Sequence, residues 1–390
     1  MIERVLITGM GVVSAAGMNL AETRDCFAAG RRNVGKITLF PSPLDYPVYE
    51  VRRPLRDPGR SKSRTLQLAF HSLDEALAGA GLGYDLSGLR VGVCMGTTVA
   101  SQLNDMEFYT AYRRDGTAPL DAVDSFLKSN LAEAMSDAVG ASGPCLTVVN
   151  ACSSSADAIG VAMGWLRSGL CDLAIAGGAD ELNRIPVCGF GSLSVFSKDP
   201  CRPYDRDRQG LNLGEGAAMV ILETESAARR RGVVSDLCVA GYGAACDAHH
   251  LTAPRPDGAG LDTAIQTSLD EAGIDPGAVC FVNAHGTATR DNDKVEGGVL
   301  ARVFGPDIKV ISTKGFTGHT LGAAGALEAV FTASALQDGW IPASPGFENK
   351  DDDIPIGAVR EKTGVTGRYA ISTSLAFGGN NASLVIGRSA

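Results

Sequence analysis

The sequence has no C-x-x-C pair, no apolar run long enough to cross a bilayer, and no surplus of basic charge. Each absence excludes something. Ten cysteines without C-x-x-C spacing argue against a zinc ribbon or a dithiol redox centre. A spanning helix needs about 20 largely apolar residues, so no membrane segment is expected. A formal net charge of −9 argues against nucleic-acid binding, whose footprint is a basic surface. No early segment joins a basic start, an apolar core and a cleavage site, so a cytoplasmic location is expected. There most cysteines stay reduced and act as small buried hydrophobes. Histidine is scarce too, with only His71, His249, His250, His285 and His319.

What is present is a 390-residue chain, 45% apolar and holding 48 glycines, long enough for a large core or two fused ones. Short β-branched runs such as "RVLITGMGV", "RVGVCMGT" and "DLAIAGGAD" alternate with helical patterns. That alternation predicts an α/β protein with mostly parallel sheets. After "ESAARRRG" the pattern restarts, which predicts two similar halves, 1–235 and 236–390. The early "GMGVVSAAG" does not match the G-x-G-x-x-G of a dinucleotide site, because its third glycine is Gly17 and position 14 is Ser14. A tight turn after the first strand is the preferred reading.

Cys152 stands apart through its setting. "VVNACSSSADAIG" carries it from an apolar run into three serines and a helix of small residues. A strand ending at Asn150 and a helix starting at or just after Cys152 put the thiol at a helix N-terminus. Free N–H groups there favour a thiolate and a developing oxyanion. The competing reading is an inert cysteine buried at a crowded turn. The histidines decide between the two. His71 lies on an amphipathic helix and reads as structural. His285 in "VNAHGTAT" follows a buried strand, and His319 in "STKGFTGHTLGAAG" opens a second small-residue helix, five residues after Lys314. Strand-to-helix junctions are where open α/β sheets place functional groups.

These segments, in order, resemble the elongating β-ketoacyl–acyl carrier protein synthases of the synthase I/II type. The resemblance rests on "GMGVVS", "NACSSS", "GGADE", "RPYDRDRQGLNLGEGAA", "NAHGTAT", "NDKVE", "STKGFTGHTLGAAGALEA" and "AFGGNNA", and it spans essentially the whole chain. It implies a thiolase-like fold, two halves in five layers, α-β-α-β-α, normally a homodimer. It implies decarboxylative condensation of malonyl-carrier protein with an acyl chain held as a thioester on Cys152. His285 and His319 would donate to the malonyl carbonyl, and Lys314, paired with Glu328, would set the electrostatics. Thr287 and Thr289 would hold the pantetheine arm, and Phe377 would act as a gate on the flexible Gly378 and Gly379. No cofactor is implied, because the substrates ride on the phosphopantetheine of acyl carrier protein. Asn283, Glu328 and the backbone near Ser372 match positions that hold a structural monovalent cation in some relatives.

The chain departs from the family pattern at Gln209 and Leu211 (usually R-D-G-F), Arg290 (usually Pro), Ala376, and Asn380 (usually Thr). None removes a catalytic group, but Leu211 and Ala376 are expected to reshape the pocket. The alternative is therefore a specialised polyene or polyketide ketosynthase, working with a sister chain-length subunit. Lys62, Arg64 and Arg202 fall near carrier-docking positions of the family, and an acidic carrier needs such a local basic patch. A true thiolase is disfavoured because no cysteine follows Cys280. A non-catalytic chain-length partner is disfavoured because such partners typically replace the nucleophile.

Overall fold

A computed structural model describes residues 3–55, 63–98, 106–120 and 130–389. Its strands are Val5–Ser14 (β1), Val91–Gly96 (β2), Cys145–Val148 (β3), Leu173–Asp180 (β4), Gly216–Thr224 (β5), Leu237–Cys246 (β6), Val279–Asn283 (β7), Val310–Ile311 (β8), Trp340–Ile341 (β9), Thr363–Gly364 (β10), Tyr369–Leu375 (β11) and Asn380–Arg388 (β12). All but the β9–β10 ribbon join one sheet in the order β3-β2-β4-β5-β1-β6-β12-β11-β7-β8.

Read outward from its centre, that order is the same twice. β1-β5-β4-β2-β3 on one side matches β6-β12-β11-β7-β8 on the other, and the directions match as well. β1/β5 and β5/β4 are antiparallel, as are β6/β12 and β12/β11. β4/β2 and β2/β3 are parallel, as are β11/β7 and β7/β8. The two half-sheets meet only at Val5–Val239 and Leu6–Cys238. The expectation of mostly parallel sheets is thus corrected: the sheet is mixed. Helices cover both faces, so antiparallel β5, buried over Gly216–Thr224, reads from Gly216 to Leu222 as the same unbroken apolar run that a parallel strand would show.

Five layers follow from what packs on what. Helices Arg64–Gly79 and Leu131–Val139 cover the outer face of the first half-sheet, and Ala259–Ala272 covers that of the second. Helices Ser154–Arg167 and Ala324–Asp338 lie between the half-sheets and touch both. Their small residues are the cause. A Cβ on Gly325 would lie 2.7 Å from Ala156 Cβ, and one on Gly160 would lie 2.3 Å from the Tyr242 ring. The largest apolar cluster fills this central layer, with Ile159, Met163, Leu327 and Val330 almost fully buried. Each such side chain contributes roughly 1.5–3 kcal/mol.

Candidate active site

The duplication builds two similar turns. After β3, Ala151 takes φ 49° and a single 3-10 turn, Ala151–Ser153, leads into the helix Ser154–Arg167. In the second half Leu321 takes φ 54°, and the turn Leu321–Ala323 leads into Ala324–Asp338. Such backbone costs about 1–3 kcal/mol per residue and persists only where its surroundings over-determine it. Cys152 in the first turn corresponds to Gly322 in the second. A Cβ on Gly322 would sit 2.6 Å from the Thr97 and Thr98 backbone, and its N–H donates to Asp180 Oδ2 at 2.6 Å. One turn carries the thiol; the other is pared down to pack beside it.

His319 Nε2 lies 3.1 Å from Cys152 Sγ. His285 stands edge-on to His319, ring centres 5.2 Å apart at 87°. Lys314 Nζ is 3.1 Å from His285 Nδ1 and is also paired with Glu328 Oε1. Lysine offers only donors, so His285 Nδ1 accepts and its proton sits on Nε2. Burial and the Lys314 charge push both imidazoles well below their usual range, which keeps them neutral. His319 Nδ1 is buried with no partner among the described groups. Glu328 is raised to about 7, burial outweighing the Lys314 charge.

Cys152 differs from its expectation. Burial pushes its thiol up to about 12, against the lowering by Lys314 and by a hydrogen bond from the Phe377 backbone N–H. The thiol sits in the 3-10 turn, 4% exposed, and desolvation there exceeds what a helix terminus supplies. It is a thiol at rest, bonded to a neutral imidazole.

The histidines hang on supports that sequence reasoning touched only in passing. Glu296 Oε1 accepts from the His285 N–H at 2.8 Å and from Thr373 Oγ1 at 2.7 Å. Its Oε2 accepts from the Gly286 N–H and from Tyr204 Oη, each at 2.8 Å. Its signal was the "NDKVE" segment, which falls in the helix Arg290–Phe304. The His319 N–H donates to the Asn212 carbonyl at 2.8 Å. Asp180, Asp157 and Phe190 were not singled out, and Asn150 was named only as the end of a strand.

These groups open on a cavity of about 870 Å³ that brings Cys152, His285 and His319 together with Thr287, Thr289 and Phe377. The two threonine hydroxyls bond each other at 2.9 Å. Phe377 stacks on Phe190 at 5.3 Å and 18°, and Gly378 (φ 92°) and Gly379 (φ 85°) form the turn behind it. Leu211 and Ala376, two of the departures, both line the cavity. Gln209 and Arg290 are exposed, and Asn380 donates to Asn150 Oδ1 at 2.5 Å.

Of the docking positions, Lys62 lies outside the described residues. Arg64 is held by a partner the sequence did not suggest: its guanidinium clamps both oxygens of buried Glu215, at 2.8 and 2.6 Å, while part of the side chain stays exposed. Arg202 is partly exposed, 3.7 Å from Asp205. Asn283 and Ser372 are strand neighbours, and Asn283 Oδ1 and Glu328 Oε2 are buried acceptors without a hydrogen-bond partner among the described groups. Two orphaned oxygens beside a strand backbone fit a monovalent cation. No group of three or more His, Cys, Asp or Glu side chains suited to a metal ion occurs among the described residues. Nor is any described helix long and apolar enough to cross a membrane.

A thiol and two neutral imidazoles around one cavity, on a duplicated five-layer fold, define a class, and the comparisons agree with it. Residues 2–228 match the family description "Beta-ketoacyl synthase, N-terminal domain", and residues 237–348 match "Beta-ketoacyl synthase, C-terminal domain". The chain belongs to the β-ketoacyl synthase family. It is 33% identical to a "3-oxoacyl-[acyl-carrier-protein] synthase 2" of Coxiella burnetii, over 99% of each chain. It is 32% identical to the "Tetracenomycin polyketide synthase ketoacyl synthase alpha subunit" of Streptomyces glaucescens, over 99% of this chain and 97% of that one. Among solved structures, "The ishigamide ketosynthase/chain length factor" superposes with a TM-score of 0.91 at 31% identity, covering 100% of both chains.

Proposed function

We propose that this chain elongates an acyl chain by decarboxylative condensation with malonyl-acyl carrier protein, giving β-ketoacyl-acyl carrier protein. The carrying observation is that Cys152, His319 and a His285 oriented by Lys314 share one cavity. In the first half-reaction the sulfur of Cys152 attacks the acyl thioester and its proton passes to the departing pantetheine sulfur, while His319 Nε2–H steadies the charge that develops on Sγ. The carbon–sulfur bond to the carrier breaks, and the carrier's pantetheine thiol leaves with the proton. In the second, the malonyl thioester carbonyl accepts from His285 Nε2–H and from His319 Nε2–H. Loss of CO2 leaves the bonding pair as an enolate, which those two donors stabilise. The enolate carbon then attacks the Cys152 thioester, the new carbon–carbon bond forms, and the Cys152 sulfur departs and takes up a proton from solvent. Decarboxylation supplies the electron pair, so no resident cofactor is required.

Thr287 and Thr289 take the pantetheine arm in this reading, and Phe377, Gly378 and Gly379 take the gate. Asn283, Glu328 and the Ser372 backbone would hold a structural monovalent cation, whose charge would offset the carboxylate. Residues 1–235 and 236–390 are the two units, in the cytoplasm. Arg202, with Lys62, receives the acidic carrier.

A second chain is expected at β3. Among the described residues this edge strand has one neighbour; it leads directly into the Cys152 turn, with Leu146 in it 43% exposed and Val149 just after it 63% exposed. An open apolar edge of this kind invites pairing. A homodimer is the first reading. A sister chain-length subunit in a polyene or polyketide pathway is the second, favoured by Leu211 and Ala376 in the cavity wall. Native mass spectrometry of the purified chain, followed by product analysis with an acyl primer and malonyl-carrier protein, tests both. A homodimer that lengthens the primer by two carbons supports the first. A chain active only beside a second gene product supports the other, and a chain inert in both settings overturns the reading.

A further inference from the structure

Acyl transfer to Cys152 creates an oxyanion beside Sγ, and we take its donors to be the backbone N–H of Phe377, which already bonds Sγ, and that of Cys152 itself, from opposite halves of the duplication. The Phe377 loop is soft, since Gly378 (φ 92°) and Gly379 (φ 85°) follow each other. Its backbone bonds reach its own half: the Gly378 N–H donates to Leu251 at 2.8 Å, and the Gly379 carbonyl accepts from Asp247 at 2.7 Å. Apart from the Phe377 N–H on the thiol itself, a side-chain contact ties it to the Cys152 turn. Asn380 Nδ2 donates to Asn150 Oδ1 at 2.5 Å, and Asn150 Nδ2 donates to Asp157 Oδ2 at 2.7 Å.

The direction of this relay is set from its far end. Asp157 is 5% exposed and also accepts from Ser153 Oγ and Tyr242 Oη, each at 2.8 Å. A carboxylate ringed by donors turns the Asn150 amide nitrogen toward itself, which leaves Oδ1 for Asn380. Asn150 is in turn built into the strained turn. Its N–H donates to Ser154 Oγ at 2.7 Å, and that hydroxyl caps the Ala151 carbonyl at 2.6 Å. Position 380 is also where this chain departs from the threonine of the family pattern.

We propose that Asn380 and Asn150 form an amide bridge that fixes the Phe377 loop against the nucleophile turn, making both of them positioning residues for acyl transfer to Cys152. The inference rests on the ketosynthase reading above. It predicts a split between half-reactions, because the two N–H groups serve only the acyl thioester, whereas the malonyl carbonyl is served by His285 and by His319, which also faces the Cys152 thiol. The histidines hang on Glu296 and Asn212, and among the described residues neither is hydrogen-bonded to Asn150 or Asn380.

The test compares wild type with Asn380→Ala, Asn150→Ala, the double variant and Asn380→Asp. Acyl-Cys152 formation from acyl-carrier thioesters is timed by intact mass, and conversion of malonyl- to acetyl-carrier without an acyl donor is timed alongside, with melting temperatures. Each single variant is expected to acylate at least tenfold more slowly while decarboxylation stays within twofold. The double variant is expected to be no slower than the worse single, as coupled residues require. Asn380→Asp, which sets acceptor against acceptor, is expected to match or exceed the alanine loss. Normal acylation in the variants, or a parallel fall of both half-reactions with the melting temperature, overturns the bridge. A wild type that takes no acyl chain overturns the ketosynthase reading instead.

Discussion

His319 Nε2 and Cys152 Sγ are 3.1 Å apart across 167 residues of sequence, and each comes from the equivalent turn region of its own half of the fold. The contact joins a neutral imidazole to a protonated thiol, because burial pushes the one down and the other up to about 12.

A pH signature follows for Cys152. A thiolate–imidazolium pair would react with iodoacetamide at a rate that levels off near neutrality. A thiol with a pKa of about 12 instead gains about tenfold per pH unit from pH 7 to 9 with no plateau. Mass-resolved alkylation at Cys152 across that range is the check. His319→Ala should lower the rate at pH 7 while keeping the slope.

Lys314 divides the two half-reactions differently from the bridge. Lys314→Met removes the donor that holds His285 Nδ1 and strands Glu328, so decarboxylation should fall about 100–1,000-fold. Acylation of Cys152 should change far less. Breaking a buried pair costs about 3–5 kcal/mol, so the melting temperature should drop as well. Lys314→Met/Glu328→Gln should recover the melting temperature but not decarboxylation.

Leu211 sits in the cavity wall at 3% exposure. Leu211→Phe adds bulk to the cavity wall, at a stability cost of no more than about 1–3 kcal/mol. The preferred primer should shorten, measured by competing acyl-carrier thioesters of increasing length.

Arg64 is expected to be a stability residue. Arg64→Ala leaves the Glu215 carboxylate, 0% exposed, without its cation. The loss should be roughly 2–4 kcal/mol by chemical denaturation, below the fully buried range because Arg64 keeps some solvent contact. The KM for acyl-carrier protein should stay within twofold; a large rise in KM with unchanged stability would restore the docking role.

Much of this was legible in the sequence, for identifiable reasons. Strands, small-residue helices and the restart after β5 followed from local pattern. Cys152, His285, His319 and Lys314 followed from their place at strand-to-helix junctions together with the family motifs. What failed depended on partners far away in sequence. Arg64 looked like a surface cation because Glu215 lies 151 residues on. The Asn150–Asn380 bond spans 230 residues. Strand direction was hidden because both faces of the sheet are covered. The acidity of Cys152 was misjudged because a sequence displays the helix that follows a residue and not the depth of its burial.

The most direct test of the account is the intact mass of wild type and Cys152→Ala after mixing with acyl-carrier thioesters, before and after malonyl-carrier protein is added. The expected result is an acyl adduct on the wild type alone, which disappears as a β-ketoacyl product two carbons longer forms on the carrier. An adduct that persists on Cys152→Ala, or a wild-type adduct that malonyl-carrier protein never consumes, would contradict it.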